Sequence, residues 1–230
     1  MSRRTSLIGA ATVAALSFAS PSAASAAVAG TISAPCYSHI VAQGTQPVVV
    51  GLTGGTPGAG FVMAATAPGK GLGSQGSTSG NFDAAGNAIA TIESIFPPSG
   101  SIDPLKSDVV AITIKDFGVT PAVDTLLGQT LITNLGLDVS STPRSPRAHR
   151  KVRVSGTPFA GKKLYGFVVK GTSRKILRRF AIGTGNVCGY ATTKAIVAPK
   201  SFRAGSYRLY VNAGTKLDKP NAIQSGFRIF

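Results

Sequence analysis

Apolar runs of four to nine residues recur along this chain, each broken by Gly, Pro, Ser or Asn, and no long stretch carries the i, i+3, i+4 stripe of an amphipathic helix. Segments this short bury their apolar side chains by pairing into sheets, so the chain is expected to be all-β, folded as two consecutive antiparallel β-sandwiches. Strands are predicted near 31–37, 47–52, 60–66, 79–82, 88–94, 109–116 and 130–140 in the first half. In the second half they fall near 151–155, 163–170, 175–182, 189–197, 206–212 and 226–230. Val123, Leu126, Leu127, Leu131 and Ile132 fit a helical turn as well as a strand, but from Leu131 onward Thr133, Leu135, Leu137 and Val139 alternate with polar or small residues, as a strand requires.

The two halves differ in charge. Between 27 and 142 lie three bases, Lys70, Lys106 and Lys115, and seven acids, whereas 143–230 carries nineteen Lys and Arg against one carboxylate, Asp218. The total of +16 therefore averages two unlike electrostatic halves, and the downstream half is the one suited to a polyanion.

Arg3 and Arg4 precede an apolar run from Leu7 to Ala19, and Ala24-Ser25-Ala26 supplies small residues for cleavage, so 1–26 is expected to be a signal peptide. The run is too short for a membrane-spanning helix. Ser2-Arg3-Arg4-Thr5-Ser6-Leu7 partly matches a twin-arginine motif, with Ser6 where a large apolar residue is preferred, and leaves that route open beside ordinary export. Pro35 before Cys36 argues against a lipidated cysteine. The mature protein is expected to be secreted, extracellular or attached to the cell envelope, and monomeric, without membrane insertion. In an oxidising compartment Cys36 and Cys188 are expected to pair across the two halves, the alternative being two separate thiols.

Ser141-Thr142-Pro143-Arg144-Ser145-Pro146-Arg147 marks the boundary, because two prolines without apolar neighbours favour an extended connection. The expected organisation is 1–26 signal, 27–142 mildly acidic sandwich, 143–150 linker and 151–230 strongly basic sandwich. A strand, a Gly/Pro turn and a second strand recur in both halves. Val48-Val49-Val50, Gly55-Thr56-Pro57-Gly58 and Phe61-Val62-Met63 match Val152-Arg153-Val154, Gly156-Thr157-Pro158 and Leu164-Tyr165-Gly166-Phe167-Val168, which suggests an internal repeat. With Cys36-Tyr37 and Asp83-Ala84-Ala85-Gly86-Asn87, the first half resembles bacterial immunoglobulin-like domains. The second, with Cys188-Gly189 and Gly205-Ser206-Tyr207-Arg208-Leu209, is similar to the partner domain of secreted actinobacterial proteins built from two such modules. The resemblance implies immunoglobulin-like architecture and export, and no particular chemistry.

Catalytic groups are sparse. His39 and His149 are the two imidazoles; His39 lies three residues from Cys36, and a thiolate–imidazole pair there is less plausible than a strand end beside a disulfide. Cys36 and His39 would give a metal two ligands, where a structural zinc wants four. Asp83-Ala84-Ala85-Gly86-Asn87 reads as a hairpin turn rather than a calcium loop. Asp103, Asp108, Asp116 and Asp124 are too scattered for paired-acid glycoside cleavage. The glycine-rich stretch 67–77 lacks the ending of a phosphate loop. No catalytic residue, metal or cofactor is expected, and the enzyme alternative is a secreted hydrolase acting on a cell wall or polysaccharide.

Lys162, Lys163, Lys170, Arg174, Lys175, Arg178, Arg179 and Arg208 form the candidate binding patch, interleaved with strands: Lys170, Arg174, Lys175, Arg178 and Arg179 gather near a hairpin at Thr172 and Ser173, Lys162 and Lys163 begin the preceding strand, and Arg208 sits between Tyr207 and Leu209. The expected partner is an anionic cell-wall glycan or polysaccharide. Nucleic acid is disfavoured, because export removes the chain from the genome and there is no tryptophan.

Overall fold

The computed structural model describes residues 27–40, 44–68, 74–95, 105, 107–140, 148–171, 173 and 175–230. The expected signal segment, the glycine-rich 69–73, and Lys106, Asp103 and Arg174 lie outside them. The first nine strands are β1 (Ala29–Ile32), β2 (Cys36–Ile40), β3 (Gly44–Thr45), β4 (Val48–Thr53), β5 (Gly60–Thr66), β6 (Gly76–Asn81), β7 (Ala88–Ile92), β8 (Asp108–Asp116) and β9 (Asp124–Asn134). The next seven are β10 (Gly136–Val139), β11 (His149–Ser155), β12 (Lys163–Lys170), β13 (Ile176–Thr184), β14 (Ala191–Ile196), β15 (Gly205–Ala213) and β16 (Ile223–Ile229), with a 3-10 turn at Thr157–Phe159.

These strands build two immunoglobulin-like sandwiches. In the first, β1-β4-β7 faces the sheet β3-β2-β9-β8-β5-β6; in the second, β10-β11-β14 faces β13-β12-β15-β16. Alternation fixes which side chains enter each core: Val48, Val50 and Leu52 meet Phe61, Met63, Ile112 and Ile114 in the first, and Val152 and Val154 meet Leu164, Val168, Leu209 and Val211 in the second. Neighbouring strands run antiparallel except β2, which lies parallel to β9 with Tyr37 opposite Ile132.

The internal repeat extends to topology. Reading β1, β4 and β7 as β10, β11 and β14, and β6-β5-β8-β9 as β13-β12-β15-β16, gives the same strand order in both modules. The Gly-Thr-Pro turns join matching strands, β4 to β5 and β11 to β12. The first module adds β2 and β3 outside β9, and nothing in the second corresponds to them among the described residues.

Two strand expectations are corrected. Residues 31–37 do not form one strand: β1 ends at Ile32, the chain crosses at Pro35, and β2 begins in the opposite sheet at Cys36. A proline cannot donate to a ladder and so falls at the crossing. Residues 130–140 likewise divide at Leu135. β9 is strand from Asp124, without a helical turn, and ends in the first module, while β10 pairs with β11, Leu137 opposite Val154. The alternation of Leu135, Leu137 and Val139 is real, but it belongs to the second core. Of the expected linker 143–150, residues 143–147 lie outside the described residues, and His149 and Arg150 open β11.

The modules meet at β2. Cys36 and Cys188 form a disulfide with Cα atoms 5.4 Å apart, both residues buried. Beside it the Ser38 hydroxyl accepts the Thr157 N–H at 2.6 Å, the Thr157 hydroxyl donates to Gln46 Oε1 at 2.9 Å, and the Leu135 N–H donates to the His39 carbonyl at 2.9 Å. Gly189, next to Cys188, has φ +70°, and a Cβ there would collide with the Gly156 carbonyl that underlies the same joint.

Candidate functional site

The cations of the second module are displayed by β12, β13 and β15. Lys170 ends β12 and Lys175 precedes β13, so both stand exposed at the hairpin, where Lys175 N–H donates to the Ser173 hydroxyl at 3.0 Å. Arg174 lies outside the described residues. Lys162 and Lys163 are exposed at the other end of β12, about 23 Å away at roughly 3.3 Å per residue, and form a separate group. Arg178 and Arg179, expected together, face opposite sides because successive strand side chains alternate. Arg179 lies opposite Phe167 on the outer face, whereas Arg178 lies opposite Val168 and is half-buried, its Nε without a hydrogen-bond partner. Arg208 is exposed between the inward Tyr207 and Leu209, as its alternation requires.

The outer face of this sheet is not a plain charged surface. Phe167 and Val169 are fully buried there and Tyr210 nearly so, although they lie outside the core between the sheets. Their cover is the loop 214–222, whose Leu217 and Ala222 pack onto them. Buried Asn212 holds the loop down: its Nδ2 donates to the carbonyls of Ala213 and Lys216, and its Oδ1 accepts the Asp218 N–H at 3.2 Å. Two cations clamp the same loop. Arg179 donates to the Thr215 carbonyl at 3.0 Å while its guanidinium lies 5.8 Å from the Tyr165 ring centre. Lys219 donates to the Ser173 carbonyl at 3.2 Å and sits 5.5 Å from the Tyr210 ring centre.

Between loop and sheet opens a cleft of about 760 Å³, floored by Phe167 and Ile176 and rimmed by Arg179, Lys216 and Lys219 together with the carboxylate of Asp218. Across the Asp218–Pro220 turn a second cleft of about 560 Å³ reaches Lys162 and Asn221. Among the described residues, none of Lys162, Lys163, Lys170, Lys175, Arg178, Arg179 and Arg208 forms an ion pair with a carboxylate. Arg153 does, holding Asp138 at 2.9 and 3.0 Å. Asp138 belongs to the acidic half by position in the chain, yet it sits on β10 beside β11. The sequence reading missed Lys216, Lys219 and the apolar floor. The available signal was Phe167-Val168-Val169, a continuous apolar run that marks a strand covered on both faces.

Elsewhere the polar groups have structural work. His39 Nδ1 lies 3.1 Å from Asn134 Oδ1, and Cys36 is in the disulfide, so the two make no nucleophile–base pair. His149 is exposed at the start of β11. Asp83 Oδ1 accepts the N–H groups of Ala85 and Asn87 at 2.8 Å, with Gly86 at φ +76°, as the hairpin-turn reading requires. Asp116 is buried; burial pushes its carboxyl pKa up, but the N–H groups of Thr56 and Gly118 and the Thr56 hydroxyl outweigh that and hold it below the usual carboxylate value. Among the described residues no three His, Cys, Asp or Glu side chains converge as metal ligands.

No protein-family model matches the chain, and no curated protein matches it. Among solved structures it is similar to red sea bream transglutaminase, at 14% identity and TM-score 0.30 over 88% of this chain and 31% of that one. It is also similar to the periplasmic chaperone SfaE (11% identity, TM-score 0.30, 86% of this chain and 97% of that one) and to the YadV chaperone (13%, 0.30, 87% and 99%). The chain spans about a third of the length of the transglutaminase. None of these proteins' activities is carried over to this one.

Proposed function

We propose that this chain is a non-catalytic binding protein, secreted or held at the cell envelope, whose second module adheres to an anionic extracellular polymer such as an acidic cell-wall glycan or polysaccharide. The observation that carries this reading is the exposed display of Lys170, Lys175, Arg179 and Arg208, none of them in an ion pair with a described carboxylate, with Lys216 and Lys219 on the rim of the outer-face cleft beside the single acid Asp218. Like charges within about 8 Å repel even at physiological salt, and a bound polyanion relieves that repulsion. Stacking on Tyr165 and Tyr210 fixes two of the cations in advance, which lowers the ordering cost of binding. The buried disulfide suits an oxidising compartment, and no described helix is long and apolar enough to cross a membrane.

Retention on purified cell wall or immobilised heparin in a salt gradient tests the reading. Arg179→Glu with Arg208→Glu is expected to elute at clearly lower salt than Lys151→Glu with Lys194→Glu, a pair of reversals at directly opposed positions on the other sheet. Equal retention of the two double variants overturns the assignment to this face.

A further inference from the structure

Glycine within a strand gives up more backbone entropy than any other residue and offers no side chain to pack, so its presence needs a reason. In the second module the reason is visible at four of five strand glycines. Gly136 and Gly166 leave room for the Leu105 side chain and the Phe180 ring, and Gly183 and Gly205 take φ values of +135° and +143°. Gly226, on β16, is different. Its φ is not positive, and among the described residues the nearest atom that a Cβ there would meet is the Tyr207 carbonyl oxygen at 4.0 Å. Neither conformation nor packing calls for glycine at this position, which leaves close approach of a ligand as the reason to keep it bare.

What flanks Gly226 is cationic. The residue opposite it is Arg208, and the next outward position of β16 is Arg228, opposite Ser206. The two arginines are therefore diagonal neighbours on one exposed face, about 7–8 Å apart at the backbone and within reach of a single anion. With Gly226, Ser206 and Gly171 they line a shallow pocket of about 450 Å³. The Arg228 guanidinium lies 5.6 Å from the Phe230 ring centre, and neither arginine forms an ion pair with a described carboxylate. Asp218, the one acid of 143–230, lines the two clefts toward the other end of the face and not this pocket.

We propose that the pocket over Gly226 takes one phosphate of a phosphodiester-linked polymer, gripped from two sides by Arg208 and Arg228, with the Ser206 hydroxyl donating to it. The site rests on the adhesion reading and deepens it, by naming the anion and the place where it sits. A carboxylate offers two oxygens in one plane, and a single guanidinium fork satisfies both. The two non-bridging oxygens of a phosphodiester point apart, so that one faces each arginine while the ester oxygens carry the polymer across the bare strand. A side chain at 226 would stand in its path.

The test titrates the mature chain, at physiological salt, into two fluorescein-labelled dodecamers of equal charge, a glycerol phosphate oligomer and an oligogalacturonate, and follows fluorescence anisotropy. The wild-type chain is expected to bind the phosphate oligomer at least about fivefold more tightly. Gly226→Leu fills the pocket without changing charge, and is expected to weaken phosphate binding at least about tenfold while galacturonate binding stays within about twofold. Gln224→Leu places the same side chain on the same exposed face of β16 but outside the pocket, and is expected to hold phosphate binding within about twofold of wild type. Arg228→Lys keeps the charge but not the fork, and is expected to lose about fivefold on phosphate alone. Failure of the wild-type chain to bind either oligomer overturns the adhesion reading and this site with it. Equal affinity for the two oligomers overturns the site and leaves that reading standing, as does equal phosphate binding by Gly226→Leu and Gln224→Leu. Should Gly226→Leu fail to fold, Arg228→Lys decides: unchanged phosphate affinity there overturns the site.

Discussion

The two modules share a strand order and differ in what their matching turns hold. In the first, the Thr56 N–H and hydroxyl both donate to Asp116 at 2.9 Å, inside the module. In the second, Thr157 turns to Ser38 and Gln46 of the other module. The reason lies one ladder away. Asp116 stands opposite Phe61, the first core residue of β5, and the residue opposite Leu164, the first core residue of β12, is Ala213. Without a carboxylate of its own, the second turn is left to bond across the joint. Core positions preserve the topology, and polar positions at strand ends are free to take new partners.

The largest test of that joint is its disulfide. Cys36 and Cys188 are 152 residues apart, and closing a loop of that size accounts for about 5 kcal/mol in the chain-entropy model. Cys36→Ser with Cys188→Ser should lose up to that amount in denaturant unfolding. It should also split a single transition into two, because the remaining ties at the joint are a few hydrogen bonds. A single, barely shifted transition would mean that the modules are coupled by packing alone.

Asp116 sharpens the contrast within the first module. Its folded pKa is depressed, so the stability it contributes is present above the ordinary carboxylate pKa of about 3.9 and is lost as pH falls through the folded value. Asp116→Ala should cost about 2 kcal/mol at neutral pH, typical of hydrogen bonds to a buried charge. The gap between variant and wild type should narrow below about pH 4. A constant gap from pH 7 to pH 3 would show that the loss comes from packing and not from the ionised carboxylate.

The core of both modules was legible in the sequence, because Val48-Val49-Val50 and Val152-Arg153-Val154 alternate plainly and each is followed by the same turn. What misled was continuity. The stretches 31–37 and 130–140 each read as one strand, because periodicity reports which residues are inward but not which sheet they enter. The charge partition singles out a module but says nothing of which face displays the cations. Adjacent Arg178 and Arg179 look like one patch until register separates them, and Lys216 and Lys219 become part of the site only because Asn212 folds their loop over Phe167.

The smallest effect separates the two threonines. Thr56→Val and Thr157→Val each remove one hydroxyl that makes a side-chain hydrogen bond, so each should cost about 1 kcal/mol in total stability. The location of the loss should differ. Thr56→Val should speed hydrogen exchange around Phe117 and Gly118, where Asp116 also binds the Gly118 N–H at 2.8 Å. Thr157→Val should leave that region unchanged and speed exchange at Ser38, whose N–H donates to the same Gln46 oxygen that Thr157 holds in place. If both variants loosen the same amides, the two turns are equivalent parts of one cooperative unit, and the reassignment of Thr157 to the joint has no energetic consequence of its own.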